Sequence, residues 1–349
     1  MRWGLHRITH LLNRPASLTM CAASLNNVIA TIIIPIRALE VEQREIHRLK
    51  RLLSTIPSGF EVVVVDDGSP FSVKRYLKQL VSSCSHYSAK ITLVSLQTQW
   101  RRFSLARARN RGVRAASAPV VIFHDVDFIG CPSVYERIQQ HILQIRLAEK
   151  PQNFFCLPVA FLTEEGSDEF MQAFEKGQEA WCFKGGHKHL AGKLQFLVQG
   201  SSAIVSQRED LLAMGGHDES FKGHGAEDFE LLHRLGQRYP IAPLPPEYLR
   251  NMGSGDITEY RGFRAYFSLY GEHSRLAGTT LVHLWHPKRA SKGYYRHKQN
   301  FARLQKVMQK EPKIDSSLKH REPLLPRESQ AQYCSETQKP VVTQETNDE

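Results

Sequence analysis

Apolar positions along the first half of the chain alternate between two spacings. Residues 28–34 form an almost unbroken β-branched run through Val28, Ile29, Ile32, Ile33 and Ile34. Such a run fits a strand covered on both faces, and Pro35 predicts its end. Residues 40–53 then place Val41, Ile46, Leu49, Leu52 and Leu53 at helical spacing. A second buried strand is predicted over 61–65, closed by the turn-forming cluster Asp66, Asp67, Gly68, Ser69 and Pro70. A helix over 72–81, a strand over 91–96, a helix capped by Ser104 and running through Ala116, and a strand over 119–123 complete the pattern. This β-α-β-α-β-α-β series predicts an α/β fold, a mostly parallel central sheet flanked by helices, with ligands gathering beyond the carboxyl ends of its strands.

The second half is less regular. Apolar runs occupy 154–162, 196–205 and 280–285, and a helix is predicted over 226–239. Residues 184–193 carry Gly185, Gly186 and Gly192 among lysines and histidines, which predicts a mobile lid, since glycine permits hinge motion. The chain therefore divides into an extension over 1–27, a regular half over 28–150, an irregular half over 151–287, a basic helical segment over 288–314 and a polar tail over 315–349. The extension has Arg2, Arg7 and Arg14 but no acidic residue, and neither it nor the tail is predicted to pack.

Composition narrows the classes. The 349 residues, 41% of them hydrophobic, suffice for a sizeable core. A net charge of +11 points to an anionic partner, for which nucleic acid, a nucleotide diphosphate, an acidic glycan or an anionic membrane all qualify. The six cysteines are scattered without a paired spacing, so neither a disulfide framework nor a zinc ribbon is indicated and a reducing, cytoplasmic setting fits. Cys182, His187 and His189 match no tetrahedral zinc spacing. No run approaches the ~18 apolar residues of a spanning helix.

Candidate chemistry sits at strand ends and a helix start. Asp125 and Asp127 follow the fourth strand directly; in an extended chain they share a face, and two carboxylates suit Mn²⁺ or Mg²⁺. Asp66 and Asp67 hold the same place after the second strand, where an ordinary turn would also explain them. Two such pairs on neighbouring strands would repel unless cations or donors lie between them. Glu227 and Asp228 open a helix after Gly223 and Gly225; acidic residues are stable in a first turn, and one so placed can also act as a general base. His283 and His286 close the last apolar run, as packed side chains or as a third metal ligand, which would favour Mn²⁺. Arg101, Arg102, Arg107, Arg109 and Arg111 crowd one stretch with Asn110 and can clamp a diphosphate.

With these residues in place, the sequence resembles the family 2 glycosyltransferases of GT-A (Rossmann-like) fold, particularly bacterial capsule and chondroitin-polymerase-like enzymes with a galactosyltransferase-type C-terminal region. The matching pieces, in the family's order, are Ile32 to Pro35, Val65 to Ser69, Ala108 to Gly112, Asp125 to Asp127, Gly223 to Asp228 and His283 to His286. The resemblance implies a nucleotide-sugar-binding half over 28–150 and an acceptor-binding half over 151–287. It implies that Pro35, Ile36, Arg37, Asp66 and Asp67 line the nucleotide pocket and that Arg109 and Asn110 approach the donor. It further implies that Asp125 contacts the donor, that Asp127 ligates the metal with His286 or His283, and that Asp228 is the base with Glu227 beside it. The implied activity is metal-dependent transfer of a hexosyl or N-acetylhexosaminyl group from a UDP-sugar to a glycan hydroxyl, with inversion, in surface or capsular polysaccharide synthesis. His224 stands where the related motif usually has Trp.

Two other readings compete. A retaining transferase of the polypeptide N-acetylgalactosaminyltransferase type shares the fold. A basic nucleic-acid-binding protein would use the charge and Tyr294, Tyr295 and Arg296, but clustered carboxylates repel a phosphate backbone, and no nucleic-acid partner is expected. The basic segment, with Tyr294, Tyr295 and Phe301, predicts peripheral contact with an anionic membrane or a polysaccharide-synthesis complex there.

Overall fold

The computed structural model describes residues 28–84, 90–177, 192–253, 255–288 and 294–310. The extension, the polar tail, the zinc-spacing residues and all but the last two residues of the expected lid lie outside these.

The first four strands are β1 (Ala30–Ile36), β2 (Phe60–Asp66), β3 (Lys90–Ser95) and β4 (Val120–Phe123), linked by α1 (Arg44–Thr55), α2 (Phe71–Cys84) and α3 (Leu105–Ala115). They run parallel in the order β3-β2-β1-β4. Two short strands from the irregular half, β6 (Phe155–Cys156) and β9 (Ile204–Gln207), extend this sheet beyond β4, with β9 antiparallel to both its neighbours.

Alternation within the strands sorts side chains to two cores. Ile32, Ile34, Val62, Val64, Val120 and Ile122 pack with Leu49 and Leu53 of α1, Leu77 of α2 and Ile138 of α4 (Pro132–Gln144). Their alternates Ile33, Val63, Val65, Val121 and Phe123 pack with Val113 of α3. The same core takes Leu231 of α7 (Glu227–Arg238), Phe267 of α8 (Phe263–Leu276) and Leu304 of α9 (His297–Met308). Both faces are covered, which is why these strands read as continuous apolar runs.

The sequence-based boundaries shift where pairing overrides composition. Pro35 does not end β1: it lies in register with Val65, while the β4 ladder stops opposite Ile33. Past that point β1 is paired on one side, so the missing N–H is tolerated. The apolar runs over 154–162 and 196–205 each split between two sheets. Their other parts, β7 (Val159–Leu162) and β8 (Leu194–Val198), join β5 (Phe128–Ile129) and β12 (Leu281–His283) in the order β5-β12-β7-β8. The remaining α-helices and strands among the described residues are α5 (Glu164–Glu175), α6 (Arg208–Ala213) and the β10 (Asn251–Met252) and β11 (Arg261–Gly262) pair.

The basic segment is docked. On α9, Leu304 and Met308 are buried, and Asn300 Nδ2 donates to the carbonyls of Lys222 (3.0 Å) and Gly225 (2.8 Å).

At the end of the sheet remote from the site, buried Glu61 accepts from Thr31 Oγ1 (2.6 Å), Ser117 N (2.7 Å) and Ser117 Oγ (2.9 Å) and pairs with Lys90. Burial pushes its carboxyl up, but these donors outweigh burial and hold it below the usual range. A depressed carboxylate contributes stability above its unfolded pKa, and that contribution is lost as pH falls through the folded value. Glu61→Ala is therefore expected to cost about 3 kcal/mol at pH 7 in urea unfolding, with the deficit shrinking in acid.

Candidate active site

Because β1 is flanked by β2 on one side and β4 on the other, the order of connection reverses at β1 and β4, and a crevice opens beyond their carboxyl ends. A cavity of about 390 Å³ lies there. Its walls include Pro35, Ile36 and Arg37 from the end of β1, Asp125 and Asp127 after β4, Arg109 of α3, Asp228 of α7, and His283 and His286 from the end of β12. Asp125 and Asp127 are not on an extended segment as expected. Phe128 N donates to Asp125 O (3.0 Å), closing a turn that aims the two carboxylates at different partners.

The centre of the arrangement is Arg109, whose guanidinium has no exposed surface. Its Nη2 donates to Asp125 Oδ1 (2.9 Å) and its Nη1 to Asp228 Oδ1 (2.5 Å), with Glu227 Oε1 3.8 Å away. Burial would lower the pKa of this side chain, but the charges of Asp228, Asp125 and Glu227 raise it above the ordinary value. Asp125 Oδ2 also accepts from Ser202 Oγ (3.3 Å).

Asp67 holds the helix that carries Arg109. Its carboxylate accepts from Ser104 N (2.8 Å), Thr98 Oγ1 (2.7 Å) and the Arg107 guanidinium (2.7–3.0 Å), and Ser104 caps α3 by accepting from Arg107 N. Asp66 Oδ1 accepts from Ser69 N (2.9 Å), an ordinary turn contact. Both aspartates are completely buried and neither is among the residues lining the cavity, contrary to the expectation that they meet the nucleotide. Nor are β2 and β4 neighbours; β1 separates them, and Arg107 and Arg109 each compensate one acidic group. Asn110 likewise turns away from the cavity. It donates to His217 O (2.9 Å) and Glu219 Oε1 (3.0 Å) and accepts from His217 N (2.8 Å).

Gly223 and Gly225 have positive φ (68° and 121°), and what approaches them is the chain's own C-terminal segment. A Cβ at Gly223 would stand 2.2 Å from Tyr294 O, and His224 N donates to that carbonyl (2.8 Å). Ala226 then adopts φ 67°, a left-handed conformation costing about 1 kcal/mol or more in a non-glycine residue. That bend points Glu227 inward and Asp228 into the cavity. Glu227 Oε2 accepts from Gly225 N (2.8 Å), while Oε1 is buried without a hydrogen bond among the described residues. Burial, then the neighbouring Asp228 charge, pushes Glu227 up to about 8. Asp228 moves the other way: burial raises it, but Arg109 and His217 outweigh that and hold it below the usual range. Near neutrality the pair is one protonated and one ionised carboxyl.

Asp127, His283 and His286 each bring a ligand atom within 4.8 Å of the others. One carboxylate and two imidazoles fit a first-row ion such as Mn²⁺ better than Mg²⁺. Burial pushes His283 down to about 4, so it is neutral, as a ligand must be. Its ring stacks on Phe161 at 4.1 Å. Asp127 Oδ2 lies 3.4 Å from His286 Nε2. Arg48 of α1 binds Asp127 Oδ1 and donates to Trp285 O (2.6 Å). The residues present thus fit a divalent ion at Oδ2 and the two imidazoles.

Sequence reasoning missed Arg48, which looks like any basic residue on an amphipathic helix, and His217, marked only by the preceding Gly215 and Gly216. It assigned Tyr294, Tyr295 and Phe301 to a membrane. The structure puts all three on the cavity wall, with His224 parallel to Tyr294 (5.7 Å, 5°) and Tyr294 parallel to Phe103 (6.3 Å, 6°).

A parallel sheet with an acidic turn at its switch point, and a mixed second half that brings a carboxylate across the crevice, define a GT-A-type fold. The chain belongs to the glycosyltransferase like family 2, whose model matches residues 31–310. It is similar to a validoxylamine A glucosyltransferase of Streptomyces hygroscopicus subsp. limoneus, 27% identical over 201 residues. That match covers 52% of this chain and 42% of the relative, so it spans less than half the relative's length. Among solved structures, the mannosyltransferase PcManGT of Pyrobaculum calidifontis, in complex with GDP-Man and Mn²⁺, aligns with TM-score 0.41 and 16% identity over 76% of this chain and 59% of that one. S. aureus TarS 1-349 aligns with TM-score 0.38 and 15% identity over 60% and 55%. No helix among the described residues is long and apolar enough to cross a membrane.

The raised Glu227 carboxyl makes a stability prediction. Between the ordinary glutamate value and about 8 the folded chain holds a proton that the unfolded chain has released, so stability falls as pH rises through that window. Glu227→Gln is expected to flatten the fall. Urea unfolding of both proteins from pH 5 to pH 9 checks it; parallel curves would place the proton elsewhere.

Proposed function

We propose that the protein transfers a sugar from a UDP-sugar to a hydroxyl of a glycan acceptor, with inversion at the anomeric carbon. The observation that carries this reading is the shared cavity, with Asp125 and Asp127 on one wall and the ionised Asp228 on the opposite side of Arg109. Family membership supports the reaction class, and the likeness to a glucosyltransferase supports a hexosyl donor.

In this reading Pro35, Ile36 and Arg37 border the nucleotide. Arg37 fixes that edge by donating to the carbonyls of Arg101 (2.6 Å) and Gln99 (2.9 Å). Asp125 faces the donor sugar while anchored to Arg109. Asp127, His283 and His286 would hold Mn²⁺, which when bound neutralises the diphosphate leaving group. The aromatic wall of His224, Tyr294 and Tyr295 gives an acceptor sugar rings to stack on. Asp228 takes the proton of the attacking hydroxyl, opposite the departing nucleotide. A carboxylate held ionised across from the donor favours this direct displacement over a retaining mechanism.

The setting we propose is surface or capsular polysaccharide synthesis at the cytoplasmic face of a membrane. The outward positions of α9, among them Lys298, Arg303 and Lys306, and Lys310 just beyond it are exposed and supply positive charge for peripheral contact with an anionic surface.

Asp228→Asn is expected to keep UDP and Mn²⁺ binding while turnover falls ~10²- to 10⁴-fold. Calorimetric UDP titration beside a transfer assay separates the two effects, and near-normal turnover would remove Asp228 as the base. Asp127→Ala should abolish the dependence of UDP affinity on Mn²⁺ in the same titration. Turnover unchanged in EDTA would overturn the metal assignment.

A further inference from the structure

We infer that His217 positions the base: it presents a neutral Nε2–H to Asp228 Oδ1, so that Oδ2 is the atom turned to the acceptor. The inference rests on the reading of Asp228 as base. His217 is buried edge-on against Phe123 (ring centroids 4.7 Å, 70°) and does not line the cavity. Neither ring nitrogen has a well-formed hydrogen bond among the described residues, and Nε2 stands 3.4 Å from Asp228 Oδ1. A phenyl ring would fill this place beside Phe123 without any unsatisfied polar atom. An imidazole here therefore calls for a role beyond packing, and the carboxylate its nitrogen approaches supplies one.

The approach is built in from the backbone. Asn110 grips residue 217 by both its N–H and its C=O (2.8 and 2.9 Å). Gly216, at φ 68°, makes room for that grip, since a Cβ there would stand 2.3 Å from Asn110 Oδ1. Asn110 follows Arg109, whose Nη1 donates to the same Asp228 Oδ1 at 2.5 Å. Two adjacent residues of α3 thus fix both partners of Oδ1, one directly and one through His217. Oδ2 has no hydrogen bond among the described residues, and Asp228 lines the cavity.

The ionisable groups around the pair come from several elements. Arg109 from α3, His224 from the loop before α7 and Glu227 face Asp228; Arg109 and Arg234 of α7 face His217. Burial first, then the two arginines, hold His217 below its usual range despite the nearby Asp228 charge. A neutral ring carries one N–H, and on Nε2 it stabilises the ionised form of Asp228.

The test is the pH dependence of turnover of the UDP-sugar the purified enzyme accepts, with UDP affinity measured alongside. His217→Phe keeps the ring but removes the donor. Its acid limb is expected to move up by about one pH unit, with turnover on that limb down about tenfold and turnover at neutral pH and UDP affinity unchanged. His217→Gln, which returns an N–H at similar reach, should restore the limb most of the way. In ¹⁵N spectra of the wild type, the signal absent from His217→Phe should report the Nε2–H tautomer and shift in Asp228→Asn. An acid limb left in place in His217→Phe, or an Nδ1–H tautomer, overturns the role of His217 even where Asp228→Asn is inactive. Near-normal turnover in Asp228→Asn overturns the base reading and this role together.

Discussion

The site depends on one buried cation. Arg109 lies fully inside the protein with Asp125, Asp228 and Glu227 around it, and without it these carboxyls would crowd a low-dielectric crevice with uncompensated charge. Its two terminal nitrogens reach opposite walls, so the turn after β4 and the start of α7 are held at a fixed separation. A lysine would supply charge but no planar fork to span both. One guanidinium also splits the adjacent acids, since it reaches Asp228 at 2.5 Å but Glu227 only at 3.8 Å.

Much of this was legible in the sequence because each legible part has a local cause. The β-branched runs of β1, β2 and β4 reflect strands buried on both faces, and Ser104 capped α3 as its hydroxyl predicts. The pairing of Asp127 with His283 or His286 came from the family resemblance rather than from a local cause, and the structure brings the three ligand atoms within 4.8 Å of one another. Asp66 and Asp67 show the limit. They have the same composition and strand-end position as the acidic turn after β4, yet Arg107 and the α3 cap lie against Asp67, and nothing local to that turn reveals it. The roles of Arg48 and His217 depend on partners 79 and 11 positions away, with the chain folded between.

The two glycines before α7 show how a correct local reading can lack its object. They mark a backbone approached closely, as their spacing implied, but the approaching group is residues 294–297 rather than a ligand. The same contact moved the aromatic rings from an expected membrane face to the cavity wall. Charge and aromatic content described the basic segment; its buried Asn300, Leu304 and Met308 determined where it sits.

That docking bears on synthesis in the cell. The strands carrying the acidic turn leave the ribosome early, whereas the segment that seats the 223–225 loop, through Tyr294 O and Asn300, emerges nearly 70 residues after that loop. A nascent chain can close its main sheet, yet the loop leading into Asp228 lacks its seat until α9 arrives.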